Sequence, residues 1–85
     1  MRQIKFETTA YTDVQYWLNK NTKILKKIST LLEECTRTPF EGTGKPEPLK
    51  YEYKTCWSRR IDHEHRLIYN VTDTEIIVIS CREQY

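Results

Sequence analysis

The sequence predicts an α+β fold: an N-terminal strand, then a two-helix hairpin packed on one face of a mainly antiparallel sheet of four or five strands. Three observations predict it. Apolar residues recur at helical spacing between positions 8 and 35, and beyond position 48 the period changes to two. Between these regions Thr38 to Pro48 holds both glycines and all three prolines, the strongest breaker in the chain. The sequence shows no repeat, low-complexity tract or linker, so residues 1–85 read as a single domain.

Taken in order, Ile4 and Phe6 alternate with Gln3 and Lys5 as a short first strand. Ala10, Val14, Trp17 and Leu18 follow i, i+4, i+7, i+8 spacing, one face of a helix over residues 8–19. Asn21 is a good N-cap for a second helix, along which Ile24, Leu25, Ile28, Leu31, Leu32 and Cys35 form the apolar stripe. So short a connection predicts an antiparallel hairpin. Leu49, Tyr51 and Tyr53 then alternate with Lys50, Glu52 and Lys54. Trp57–Ile61 and His65–Val71 read as strands around an Asp62-His63-Glu64 turn, and the more apolar Glu75–Arg82 as a central strand. The helices would cover one face of the sheet and leave the other at least partly open.

Composition narrows the class. Hydrophobic content of 38% with 31% charged residues suits a folded domain, not a disordered one. At this length it buries roughly 60–65% of its unfolded surface, a thin margin. No apolar run approaches the ~18 residues a membrane helix needs, and no signal-peptide pattern is present, so the cytoplasm is the expected compartment. Cys35, Cys56 and Cys81 are odd in number and lack paired spacing, which fits buried thiols in a reducing environment. A net charge of +2 does not by itself indicate nucleic-acid binding.

The placement of charge says more. Glu47 is clamped between Pro46 and Pro48, with Lys45 and Lys50 close by. Proline fixes its own φ and pushes the preceding residue out of the α region, so Lys45 and Glu47 are expected to be extended and stiff. Glu47 is then either an ordinary surface carboxylate or an aimed proton acceptor, which neighbouring lysines keep ionised. A hairpin centred on His63 sets Arg60 opposite Arg66. Like charges directly opposite destabilise a sheet. Either a phosphate lies between the two guanidinium forks, or Glu52, Glu64 or Asp62 neutralises them. Tyr51, Tyr53, Tyr69 and Tyr85 are packing residues or base-stacking platforms. Trp17 and Trp57 are expected in the core. His63 and His65 lack a third ligand at convincing spacing, so no metal is expected. Lys20, Lys23, Lys26 and Lys27 form either a solvated helix face or a docking surface for RNA.

Four segments carry a resemblance: Thr38-Pro39-Phe40-Glu41-Gly42, Gly44-Lys45-Pro46-Glu47-Pro48-Leu49-Lys50, Trp57-Ser58-Arg59-Arg60-Ile61 and Glu64-His65-Arg66-Leu67-Ile68-Tyr69. With the Tyr16-Trp17 pair and the final tyrosine they resemble the YoeB toxins of the RelE superfamily, over essentially the whole chain. The resemblance implies a microbial-RNase-like fold, often dimeric, and a ribosome-dependent endonuclease that cuts mRNA in the A site of the 70S ribosome. It implies a YefM-type antitoxin, operator DNA bound only through the antitoxin complex, and no cofactor. It assigns Glu47 as general base and Arg66 as the stabiliser of the transition-state phosphate. Arg60 and Lys50 are supporting cations, Arg59 and Lys45 adjoin them as RNA contacts, and Tyr85 positions a base. The family usually ends in His-Tyr, the histidine being the expected general acid; here Gln84 takes its place.

Glutamine can hydrogen-bond a leaving oxygen but cannot protonate it. Three accounts follow: a slowed nuclease in which Glu83 or water delivers the proton, a substitute acid in His63, or an attenuated toxin. The last would bind ribosome and antitoxin, acting by A-site occlusion or within a DNA-binding repressor. A free-standing metal-independent RNase is a further alternative.

Overall fold

The computed structural model describes residues 1–50 and 55–84. The elements run β1 (Gln3–Phe6), α1 (Thr8–Lys20), α2 (Thr22–Cys35), β2 (Glu47–Pro48), β3 (Trp57–Arg60), β4 (His65–Val71) and β5 (Glu75–Gln84). The sheet order is β1-β5-β4-β3-β2, with β1 parallel to β5 and every other pair antiparallel. This is the expected mixed α+β architecture.

Asn21 alone separates the helices, and its side chain accepts from the Lys23 amide at 3.1 Å, capping α2 as its residue type predicts. The core lies between the hairpin and the sheet, where Ala10, Trp17, Ile28, Leu31, Leu32 and Cys35 meet Leu67, Tyr69, Ile76, Val78 and Cys81. Trp17 and Trp57 both pack into or against it. All three cysteines are buried free thiols.

Three sequence expectations shift. Leu18 is 52% exposed, because the buried stripe of α1 runs through Ala10, Asp13 and Trp17 instead. The helix turns toward Asp13, a polar residue with partners on β5, and Leu18, about 100° round from Trp17, faces outward. β5 is interior as expected, but β4 holds the middle of the sheet, and β5 continues to Gln84. Pairing at β2 begins at Glu47, and the alternation read from Leu49 onward falls partly on residues 51–54, outside the described residues. No helix among the described residues is long and apolar enough to cross a membrane.

Side chains alternate across β3 and β4. Trp57, Arg59, Leu67 and Tyr69 point toward the helices, and Ser58, Arg60, Arg66 and Ile68 toward the opposite face. That opposite face is partly covered: Ser58 and Ile68 are buried, whereas Arg60 is exposed.

Candidate active site

The loop from Thr38 to Pro48 leaves α2 and returns along the sheet edge into β2. Its course is set from inside by Arg59, which is 0% exposed. Arg59 Nε donates to the Tyr69 hydroxyl at 3.1 Å, and Nη1 to the Glu34 carboxylate and the Thr43 carbonyl. Nη2 donates to the carbonyls of Thr38 and Glu41. A guanidinium has five N–H donors in a fixed fork, and five acceptors meet it. The Tyr69 hydroxyl in turn donates a hydrogen bond to the Pro39 carbonyl at 2.7 Å. Glu34 also accepts from the Thr43 amide at 2.7 Å and its hydroxyl at 3.0 Å. The Thr43 amide above all, then Arg59 and the Thr43 hydroxyl, hold Glu34 below its ordinary value against the opposing effect of burial. Arg59 therefore cannot meet RNA, contrary to its sequence assignment. Alternation turns it inward while its neighbour Arg60 turns out.

Both glycines in this loop are required. Gly42 has φ +119°, and a Cβ there would meet Glu34 Oε1 at 2.1 Å. Gly44 has φ +87°, with the backbone of Arg60 filling the space a Cβ would take, at 3.0 Å. Its carbonyl accepts from the Arg60 amide at 2.7 Å. Lys45 is not extended as its proline neighbour predicts: its φ is +51°. The chain must reverse beside β3 within Gly44 and Lys45, and this tertiary demand outweighs the local preference set by Pro46. Glu47 is extended as expected, in β2, exposed and opposite Ser58.

The open face then assembles the charged residues. Arg60 stands opposite Arg66, as the hairpin centred on His63 predicts, and Arg66 stands opposite Glu83. The adjoining rung runs from Glu47 through Ser58 to Ile68. Glu47 and Arg66 are two strands apart, roughly 10 Å between backbones, a span that two long side chains and a bound phosphate fill. Four strands thus contribute a carboxylate, two guanidinium groups and a second carboxylate to one face.

The turn before Arg66 is braced on His65. The Asp62 carboxylate accepts from the amides of Glu64 and His65, and the His65 ring lies 3.2 Å away. Partial burial pushes Asp62 up, but the His65 and Glu64 amides and the His65 ring together hold it below its ordinary value. His65 also meets the edge of Trp17, with ring centroids 4.9 Å apart. Asp62 and Glu64 thus engage His65, while Glu52 lies outside the described residues. His63 is exposed at the turn. Among the described residues no cluster of potential metal ligands exists.

Gln84 ends β5, exposed and opposite His65. Alternation therefore sets it off the row of Arg66, which Glu83 occupies instead. Tyr85 lies outside the described residues. Lys45 and Lys50 are exposed beside Glu47, and Lys20, Lys23, Lys26 and Lys27 are exposed around the helix junction. Glu34 and Asp13 are supports of the site that the sequence did not single out, and Tyr69 is a packing residue that braces Arg59 and does not stack on a base. Asp13 had a visible signal, since it lies three residues after Ala10 and four before Trp17, on the apolar stripe itself.

A small α+β domain presenting a carboxylate and paired arginines on one sheet face belongs, by its sequence, to the toxins of bacterial toxin–antitoxin systems. The model of the YoeB-like toxin of bacterial type II toxin-antitoxin system matches residues 6–85, and the chain belongs to that family. Toxin YoeB of Escherichia coli is 49% identical over 76 residues, covering 89% of this chain and 90% of that protein. The YoeB dimer from Staphylococcus aureus superposes with a TM-score of 0.91 at 42% identity, covering 99% of this chain and 98% of that one. A heterotetrameric YoeB-YefM complex from the same organism gives 0.89 at 42% identity, covering 100% and 99%.

Proposed function

We propose that this chain is a metal-independent endoribonuclease that cuts mRNA in the ribosomal A site and so inhibits translation. The observation that carries the reading is the row Arg60–Arg66–Glu83 with Glu47 at the end of the next row, all on one face. Glu47 takes the proton from a 2′-hydroxyl, whose oxygen attacks the adjacent phosphorus. Arg66 and Arg60 stabilise the charge that builds on the phosphate oxygens, the largest expected contribution. Lys50 and Lys45 supply further positive charge, and Tyr85 stacks on a base. The 5′-oxygen leaves with a proton from water or from Glu83, which lies in the row of Arg66, while Gln84 stands one residue further along β5. The products are a 2′,3′-cyclic phosphate and a 5′-hydroxyl.

The partners follow from the same reading. A YefM-type antitoxin neutralises the toxin, and operator DNA is bound only through that complex. A groove of about 460 Å³ between β1 and α2, lined by Ile4, Phe6, Leu25, Ile28 and Leu32, offers an apolar partner surface. The exposed lysines at the helix junction suit ribosomal RNA, and a second copy of the chain is a further partner. The protein acts in the cytoplasm.

In-vitro translation with purified protein, followed by mapping of mRNA 3′ ends, tests this directly. Cut ends should appear at the A-site codon and vanish in Glu47→Ala and Arg66→Ala. Gln84→His should raise the rate by about 10²-fold, the usual worth of a positioned acid. Stalled ribosomes with intact mRNA would overturn the nuclease reading and favour occlusion of the A site. Equal rates on naked RNA would remove the ribosome from the proposal.

A further inference from the structure

The row that joins Arg66 to Glu83 exists only because β5 is bulged. From the Tyr69–Val78 pair to the Arg66–Glu83 pair, β4 advances three residues while β5 advances five. A regular ladder would set Cys81 opposite Arg66 and carry Glu83 and Gln84 beyond it. The extra residues enter singly, one between Val78 and Ser80 and one between Ser80 and Glu83, with Ser80 itself opposite Ile68. Together they draw the C-terminal end of β5 back by roughly 7 Å, at ~3.3 Å per residue.

A bulge leaves backbone groups without ladder partners, and buried backbone groups need partners. Helix α1 supplies them. Asp13 is 8% exposed, and its Oδ2 accepts from the Cys81 amide at 3.1 Å and the Ser80 hydroxyl at 3.2 Å. One turn along, Trp17 Nε1 donates to the Cys81 carbonyl at 2.8 Å. Residues four apart share one face of a helix. Both backbone groups of Cys81 are therefore gripped from a single turn of α1. A buried carboxylate is costly unless hydrogen-bonded, and the bulge supplies Asp13 with its donors.

We propose that Asp13 and Trp17 are positioning residues that hold the second shift, at Cys81, and through it set the C-terminal residues against Arg66 and His65. This rests on the cleavage site proposed above. Asp13 touches neither substrate nor Arg66; it acts through the register of β5.

The test compares wild type, Asp13→Asn and Asp13→Ala in ¹⁵N-labelled protein and in ribosome cleavage. Asparagine keeps an acceptor for the Cys81 amide, and alanine removes it. Wild type and Asp13→Asn should show slow exchange of the Cys81 amide and cross-strand contacts between Arg66 and Glu83. Asp13→Ala should lose tenfold or more of that protection and weaken those contacts. On ribosomes it should lower kcat by about 10²-fold, as misplacement by an ångström or more does, with KM unchanged. Asp13→Asn should restore kcat. A freely exchanging Cys81 amide in wild type, or an Asp13→Ala protein with the Arg66–Glu83 contacts and kcat intact, would overturn the proposal. If Asp13→Ala does not fold, Ser80→Ala, which removes one donor to Asp13, is judged by the same exchange and contact criteria. If wild type cuts no mRNA, the cleavage reading fails, and the register measurements still decide whether Asp13 holds the bulge.

Discussion

Replacing Arg59 by alanine separates the inward arginine of the Arg59-Arg60 pair from the outward one. Arg59 is fully buried and donates to five acceptors. In Arg59→Ala the Tyr69 hydroxyl keeps its bond to the Pro39 carbonyl. The carbonyls of Thr38, Glu41 and Thr43 and the Glu34 carboxylate each lose a donor. Four such losses at about 0.5–1.5 kcal/mol would total about 2–6 kcal/mol. Glu34 has 29% of its side chain exposed, so water takes over much of its share, and about 3 kcal/mol is a fair expectation. For a domain of this size that is a large part of a total near 4–13 kcal/mol. It lowers Tm by about 12–24 °C. Urea unfolding followed by tryptophan fluorescence, with thermal melts by circular dichroism, measures it, and Lys50→Ala should stay within about 0.5 kcal/mol of wild type. A stability loss below about 1 kcal/mol, together with lost RNA cleavage, would refute the buried-anchor reasoning and return Arg59 to the RNA surface.

Gly44→Ala forces a Cβ against the Arg60 backbone at φ +87° and should cost about 1–3 kcal/mol in urea unfolding; a neutral result would mean the loop is not held against β3. Glu34 and Asp62 are both held below their ordinary values, 4.5 and 3.8, so the folded state releases these protons more readily than the unfolded one. Their stabilisation is therefore full above those values and lost as pH falls through and below them. Urea midpoints should drop from pH 6 to pH 3, and Glu34→Gln should flatten that drop. Burial, with the Asp13 charge adding to it, pushes the Cys81 thiol up to about 12, and burial also raises Cys35 and Cys56. Alkylation at pH 8 should be slow for all three in native protein and rapid in urea; a fast native thiol would contradict their burial.

Much of the site was legible because it is local. The Asp62-His63-Glu64 turn set Arg60 opposite Arg66, since hairpin pairing follows from where the turn is centred. Glu47 was singled out by its prolines, and its extended conformation follows from them. The same local rule failed two residues earlier at Lys45, where the path of the loop against β3 decides φ. Arg59 and Arg60 look alike in sequence, and alternation says only that they point opposite ways.

Glu83 and Gln84 show the boundary most clearly. Sequence alone determined the order and type of the elements, because periodicity, caps and breakers are written in neighbouring residues. It also determined which residue types were available for phosphate chemistry, and that glutamine stands where the resemblance expects an acid. Tertiary structure alone decided which arginine is buried, and that Glu83, not Gln84, lies in the row of Arg66. The reason is physical. A strand's register and face depend on partners distant in the chain, here a carboxylate and an indole on α1 that satisfy the backbone of a bulge more than sixty residues away.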